Sequence, residues 1–282
     1  MQSKAAQAET PALGNDDGAN RILLGDHFLS GRGFEIGPGA SPAAYRGVEE
    51  LSFIDKRNRE ELEELFNVRI DYAVVTLEEA RAICRQEGKR DFVVAHHVLE
   101  HSPDPIQTTI DWLALIRDGG RFFFSIPSHM NSCEKDRVPT PIEHIVDDYL
   151  FERSGDDFES KGHILSFIDQ WTVMDERSIW YAQNGVTAFA QTSLSEMRRN
   201  GHDLHWHTYT LPVARQVIEA AAYFGGRRLT WLLTENRANG HYLIGTLELE
   251  SGVNPPTFLI AHREHLLRAL GRLGRGTSLE RE

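Results

Sequence analysis

The fold is decided by a short stretch near the start of the chain, Gly33-Phe34-Glu35-Ile36-Gly37-Pro38-Gly39-Ala40-Ser41-Pro42. Its first four residues are typical of a β-strand, which stops at two closely spaced glycines. Glycine lets the backbone turn sharply and approach a ligand, and parallel α/β sheets bind ligands at the carboxyl ends of their strands. The stretch therefore predicts the first strand of such a sheet, followed by a ligand-binding loop and the start of a helix.

The residues that follow alternate between short apolar runs and helical stretches. Four more strands are predicted, at residues 51–55, 67–72, 91–95 and 121–126. Three helices are predicted between them, at residues 58–66, 76–88 and 104–117. Strands and helices in alternation form a parallel α/β sheet with right-handed crossovers, so we predict that fold class.

After the fifth strand the alternation breaks, which indicates an insertion. We divide the chain into five segments: a flexible tail (1–20), an α/β core (21–127), a mainly helical insertion (128–209), a closing helix with an antiparallel edge hairpin (210–250), and a C-terminal helix and tail (251–282). The apolar face of the last helix leaves two alternatives open, packing on its own domain or pairing with a second copy as a homodimer.

Composition excludes several classes of protein. The chain has 282 residues, 40% of them hydrophobic, which is typical of a globular protein of one or two domains. We find no apolar run long enough to span a membrane and no secretory signal. The net charge of −12 disfavours binding to nucleic acids or anionic membranes. With only two cysteines, the chain is expected to be a cytoplasmic protein.

The ends of the predicted strands indicate a nucleoside site. Asp55 ends the second strand, where its carboxylate can accept hydrogen bonds from two ribose hydroxyls. Asp71, or the backbone of Tyr72, is placed to reach an adenine edge. A dinucleotide site would need a third glycine where Pro42 stands, so the loop disfavours NAD. The residues alone predict an adenosine-containing ligand.

Three stretches resemble motifs of the class I S-adenosylmethionine-dependent methyltransferases, in a type 11-like bacterial subgroup. Residues 35–39 resemble the first motif, residues 91–105 (DFVVAHHVLEHSPDP) the fourth, and residues 115–127 the next one. The third loop glycine of the family is Ser41 here. The resemblance implies a Rossmann-like sheet, mostly parallel with an antiparallel edge hairpin. It also implies S-adenosyl-L-methionine as the cofactor and S-adenosylhomocysteine as its product.

The resemblance also implies the residues of the cofactor site. Nine residues are expected to contact the cofactor: Glu35, Gly37, Pro38, Gly39, Asp55, Asp71, Tyr72, His96 and His97. The backbone of the two glycines would run alongside the methionine portion of the cofactor, and Asp55 would bind the ribose. Asp71 and Tyr72 would flank the adenine, with His96 under the cofactor.

The chain has 13 histidines, and several fall close together. Residues 97–101 (HVLEH) spell the His-x-x-Glu-His signature of inverted zinc proteases. That site needs a sustained helix, which Pro103 and Pro105 would interrupt. We therefore interpret Glu100 and His101 as residues that hold a loop, and we assign no metal ligand.

The downstream histidines provide candidates for catalysis. Methyl transfer is an in-line displacement from a sulfonium, for which the protein supplies alignment, desolvation and, for a hydroxyl acceptor, a base. His205 is the first candidate base, Asp203 its orienting partner, and His144 and His163 are the second candidates. A divalent metal that lowers the pKa of the acceptor remains an alternative. From the resemblance to this subgroup we expect O-methylation of a small molecule or a sugar hydroxyl, in a pocket formed by the insertion.

Two other functions share the same loop. An NAD-dependent oxidoreductase or epimerase would also use Asp55, but it needs a Tyr-x-x-x-Lys or similar pair, which we do not find. A catalytically inactive, cofactor-binding partner protein is the second alternative, which Ser41 and the surroundings of His97 leave open.

Overall fold

The structure is a computed structural model, and it describes residues 10–130, 137–150, 205–237, 240–250 and 252–276. Seven strands are present in this part of the chain: β1 (Gly31–Ile36), β2 (Val48–Ile54), β3 (Val74–Val75), β4 (Arg90–His96), β5 (Ile116–Pro127), β6 (Arg227–Arg237) and β7 (Gly240–Leu249). They form one sheet in the order β3-β2-β1-β4-β5-β7-β6.

The pairing of the strands confirms the predicted fold class. Strands β1 to β5 are parallel to one another, whereas β7 is antiparallel to both β5 and β6. The sheet is therefore mostly parallel with an antiparallel edge hairpin, as expected of a class I methyltransferase Rossmann-like fold.

The helices begin where their capping residues predict. The described residues form seven helices: α1 (Asp17–Phe28), α2 (Arg59–Phe66), α3 (Leu77–Glu87), α4 (Pro105–Leu113), α5 (Ile142–Leu150), α6 (Leu211–Phe224) and α7 (Thr257–Gly276). Thr76 and Glu79 form the capping box of α3, Asp104 caps α4, and Thr210 caps α6. None of the helices in the described ranges combines the length and apolar character that a membrane crossing needs.

The sheet buries a hydrophobic cluster on each face, because alternate side chains of a strand point to opposite sides. Phe34 of β1 and Val93 of β4 belong to the larger cluster, which α4 and α6 cover. Phe92 and Val94 belong to the smaller one, where Leu24 of α1 packs. In α7, Leu259 is buried in the larger cluster while Leu267 is exposed, so pairing with a second copy stays a prediction.

The connection from β1 to β2 differs from the expectation. Residues 37–47 contain no helix, although a helix was predicted directly after the glycine loop. Instead, α1 comes before β1 and packs on this face, so the tail predicted at residues 1–20 is wrong from Asp17 onward. The carboxylate of Asp16 caps α1 by accepting a hydrogen bond from the Ala19 N–H at 2.9 Å.

Strand β3 also lies elsewhere than predicted. Asn67 ends α2 in a left-handed conformation with φ of 50°, and the chain then turns back onto the helix, where the Ile70 N–H donates to Glu63 Oε1 at 2.8 Å. Pairing with β2 begins only at Val74, a β-branched residue suited to a strand. The predicted strand at 67–72 is therefore wrong, and Asp71 and Tyr72 precede β3 instead of following it.

The start of β5 provides a stability test. Helix α4 ends at Leu113, not residue 117, and β5 already begins at Ile116, so Gly120 lies within a strand. A Cβ atom on Gly120 would lie 2.5 Å from Cγ2 of Ile116 and 2.7 Å from the backbone oxygen of Asp91, so the strand backbone would have to shift. We expect Gly120→Ala to lower the free energy of unfolding by about 2 kcal/mol, measured by urea denaturation.

Gly119 is the matched control for this substitution. It has a positive φ of 71°, but the nearest atom to an added Cβ is 3.7 Å away on a flexible arginine. Gly119→Ala should lower the free energy of unfolding by about 1 kcal/mol, because an L residue is strained at this positive φ. Equal losses in the two variants would contradict the steric explanation.

Candidate functional site

A cavity opens at the carboxyl ends of β1, β2, β3 and β4. Its volume is about 760 Å³, within the usual range for small-molecule and cofactor sites. The residues that follow the four strands contribute to its lining: Gly37 and Gly39, then Asp55, Thr76 and Leu77, and finally His97, Val98 and His101. Leu62, Phe66 and Trp112 add apolar surface. The cavity lies where a parallel sheet is expected to bind its ligand.

The glycine loop needs glycine at both positions of the motif. Gly37 and Gly39 have positive φ angles of 59° and 57°. A Cβ atom on Gly37 would also lie 2.8 Å from a methyl group of Val98. Any side chain here would strain the backbone and fill the cavity, so the loop brings bare backbone to the ligand.

Asp55 lies on the cavity wall directly after β2. Its Oδ1 accepts a hydrogen bond from the Arg57 N–H at 3.0 Å, which orients the carboxylate. Burial raises the pKa of Asp55 above its ordinary value despite hydrogen bonds from the following backbone. A half-buried carboxylate at this place can accept hydrogen bonds from a pair of hydroxyls.

Glu35 fixes the end of the glycine loop through a hydrogen bond. Its side chain is 2% exposed, and its Oε2 accepts a hydrogen bond from the Ala43 N–H at 2.9 Å. Burial raises the pKa of Glu35 to about 7. Within the described residues, the cavity lining does not include Glu35, so Glu35 can affect a bound ligand only through the loop that it holds.

Four other predicted cofactor residues are also absent from the described lining of this cavity: Pro38, Asp71, Tyr72 and His96. Tyr72 donates a hydrogen bond to the carbonyl of Gly39, and its ring contacts Phe53. Asp71 is exposed. The sequence had suggested Asp71 and Tyr72, which precede β3, for this part of the cavity wall. Thr76 and Leu77, which follow β3, occupy it instead.

His96 is part of the core instead of the cavity wall. Its two ring nitrogens lie 2.6 Å from the Tyr45 hydroxyl and 3.0 Å from the Ser125 hydroxyl. Burial lowers the pKa of His96 to about 3, so the ring is neutral at physiological pH.

His97 lines the cavity, and a residue of α1 contacts its side chain. The residue has a positive φ of 54°, and its Nε2 lies 3.3 Å from Oδ2 of Asp17. The Tyr242 hydroxyl donates a hydrogen bond of 2.6 Å to the same carboxylate. Burial would raise the pKa of Asp17, but these hydrogen bonds outweigh it and lower the pKa to about 2. Sequence reasoning missed Asp17, although the capping residue Asp16 and the apolar run from Ile22 signal the helix.

Two groups of side chains in the described part of the chain could hold a metal ion. In one, donor atoms of Glu100, His101 and His205 all lie within 4.8 Å of one another. The other group, with the same spacing limit, is made of His144, Asp148 and His207.

The structure describes two of the four catalytic candidates, His205 and His144. His205 packs against His101, with ring centroids 4.6 Å apart, so it adjoins the cavity. His144 is paired with Asp148 on α5, at 2.9 Å between Nε2 and Oδ2. Asp203 and His163, like most of the predicted insertion, lie outside the described residues.

No protein-family model and no curated protein sequence matches the chain. Similar solved structures include a CurJ carbon methyltransferase, 12% identical with a TM-score of 0.38, over 82% of this chain and 53% of that one. An O-methyltransferase family protein from Burkholderia thailandensis is 11% identical with a TM-score of 0.35, over 78% and 52%.

A third similar structure is an O-methyltransferase family 2 protein from Planctomyces limnophilus in complex with apigenin. It is 12% identical with a TM-score of 0.36, over 76% of this chain and 49% of that one. The chain thus spans about half the length of the solved structures it resembles. All three are methyltransferases, and the fold assignment of this chain depends on its strand order.

Proposed function

We propose that this chain is an S-adenosylmethionine-dependent methyltransferase that methylates an oxygen of a small molecule or sugar. The observation that carries the proposal is the cavity in which Gly37, Gly39 and Asp55 meet. Two features of the resembled motifs meet in this cavity, namely a loop of bare backbone and a carboxylate after β2. The cavity lies at one end of a sheet that has the expected strand order.

The lining of the cavity supports the proposed cofactor. Asp55 would bind the ribose, and the backbone of Gly37 and Gly39 would run alongside the methionine portion. Leu77 and Trp112 provide apolar surface for the adenine, with Thr76 at its edge. S-adenosylmethionine supplies an electrophilic methyl group on a sulfonium. The protein would align the acceptor with it and exclude water.

A nicotinamide dinucleotide fits this site less well. Dinucleotide-binding folds place the pyrophosphate at the N-terminus of the helix that follows the glycine loop. Residues 37–47 contain no helix, so the backbone N–H groups and the dipole that would bind the two phosphates are missing from this connection. S-adenosylmethionine has no phosphate and does not need them.

An oxygen acceptor is favoured by the histidines beside the cavity. A hydroxyl must lose its proton as it is methylated, and histidine can accept a proton near neutral pH or bind a metal that lowers the pKa of the hydroxyl. His101 lines the cavity, and the ring of His205 packs against the ring of His101. Both side chains therefore adjoin the cavity in which we propose that the acceptor is methylated.

Calorimetric titration with S-adenosylhomocysteine tests the proposal, with NAD as the parallel control. We expect S-adenosylhomocysteine to bind with a Kd on the order of micromolar, and NAD to give no heat of binding. Binding of NAD alone, or of neither ligand, would contradict the assignment. Binding of S-adenosylhomocysteine with no turnover on any hydroxylated acceptor would instead favour the inactive partner protein.

A further inference from the structure

We propose that Glu100, His101 and His205 form a binding site for a divalent transition-metal cation at the edge of the cavity. The three side chains offer two imidazole nitrogens and one carboxylate oxygen, and these donor atoms all lie within 4.8 Å of one another. A single cation placed among atoms at this spacing can reach all of them at ordinary ligand distances of about 2.0–2.2 Å after small side-chain adjustments.

The backbone brings these three residues together from distant parts of the chain. Glu100 and His101 belong to a 3-10 turn, Leu99–His101, which directly follows β4 and the strained His97. The Trp206 N–H donates a hydrogen bond of 2.8 Å to the backbone oxygen of Glu100. This bond fixes the segment before α6 against the turn, and it places the His205 ring 4.6 Å from that of His101.

The carboxylate of Glu100 is the second observation that indicates a ligand. The residue is 1% exposed, and its Oε2 has no hydrogen-bond partner within the described part of the chain. Its Oε1 lies 3.9 Å from nitrogens of both His97 and His101, which is too far for a hydrogen bond. A buried carboxylate oxygen that accepts no hydrogen bond is unfavourable, and a coordinated cation would compensate it.

The donor set suits a cation with open coordination positions. Two histidines and one carboxylate are the ligands of several catalytic zinc sites and of non-haem iron sites, where water or substrate takes the remaining positions. His101 lines the cavity, so those positions would face the space beside the cofactor. The sequence had suggested only a loop-holding role for Glu100 and His101.

The role of the cation rests on the proposed function, whereas the site itself does not. Beside the methyl donor, a cation can bind the oxygen of the acceptor, orient it, and lower the pKa of its hydroxyl. His205 would then act as a ligand and not as the general base that the sequence suggested.

The test is a titration of the untagged, EDTA-treated full-length chain with Co2+, followed by visible absorption, which reports nitrogen and oxygen ligation directly. We expect one equivalent to bind. Loss of a residue that only hydrogen-bonds to a metal ligand lowers metal affinity by about 10–100-fold. Loss of a direct ligand should have a larger effect, so His205→Ala and Glu100→Gln should each lower the affinity for Co2+ by about 100-fold or more. Glu100→Gln keeps the size of the side chain and guards against a loss of folding.

His144→Ala is the matched control, because it removes a histidine from the neighbouring group of His144, Asp148 and His207. It should change the Co2+ affinity by less than about threefold. The proposal is overturned if the wild-type chain binds no stoichiometric Co2+, if His205→Ala binds it normally, or if His144→Ala alone abolishes binding. S-adenosylhomocysteine binding, measured on the same samples, reports separately on the proposed function.

Discussion

Asp55→Ala is expected to weaken the binding of S-adenosylhomocysteine by about 100-fold, because hydrogen bonds to a charged group contribute about 1.5–3 kcal/mol. The carboxylate is half-buried on the cavity wall, oriented by the Arg57 N–H, and faces the space that we assign to the ribose. Its removal leaves ribose hydroxyls without an acceptor in a partly dry site. Calorimetric titration of both proteins at one pH and salt concentration gives the comparison.

Asp71→Ala is the control for this experiment. Asp71 has the same charge and lies near Asp55 in the sequence, but it is exposed and outside the described lining of the cavity. We expect its replacement to leave the Kd unchanged within about twofold. A large loss with Asp71→Ala, or none with Asp55→Ala, would show that the ligand binds in another place.

Glu35→Gln should alter how stability depends on pH. The pKa of Glu35 is raised by burial from an ordinary value of 4.5 to about 7 in the folded chain. Between these two values the unfolded chain has lost a proton that the folded chain retains, so unfolding becomes easier as the pH rises. Stability is thereby lowered by up to about 3 kcal/mol from pH 4.5 to pH 8, a loss that the glutamine variant does not undergo.

Urea denaturation of both proteins at pH 5 and pH 8 measures the effect. The stability of Glu35→Gln relative to the wild type should increase towards pH 8, because the glutamine oxygen can still accept the Ala43 hydrogen bond. Glu60→Gln, at an exposed position of α2, corrects for the removal of one negative charge from an acidic chain. An equal response in the two variants would contradict a buried, proton-retaining Glu35.

The features predicted correctly from the sequence are local ones. The strand that stops at Gly37 and the caps at Thr76, Asp104 and Thr210 each depend on a few neighbouring residues. The edge hairpin follows from two apolar runs close together in the chain. Asp55 could be placed because it directly follows a strand whose pattern is clear.

The features missed depend on contacts between distant residues or on short elements. Strand β3 has only two residues, too few for a pattern of alternation, so Asp71 was placed on the wrong side of it. The group of Glu100, His101 and His205 exists because two remote segments pair through the backbone of Trp206. No local signal in the 3-10 turn indicates which segment packs against it.

The position of α1 has a consequence for the order in which the chain folds. Its residue Asp17 bonds to Tyr242, 225 residues later, and its Leu24 packs in a cluster that includes Ile244 of β7. Contacts across such a sequence separation form late and slow the search for the native state. During synthesis, α1 is made long before β7, so this contact cannot form until β7 is complete. Until then Phe92 and Val94 lack part of the apolar surface that buries them, and exposed apolar surface in an incomplete chain favours aggregation.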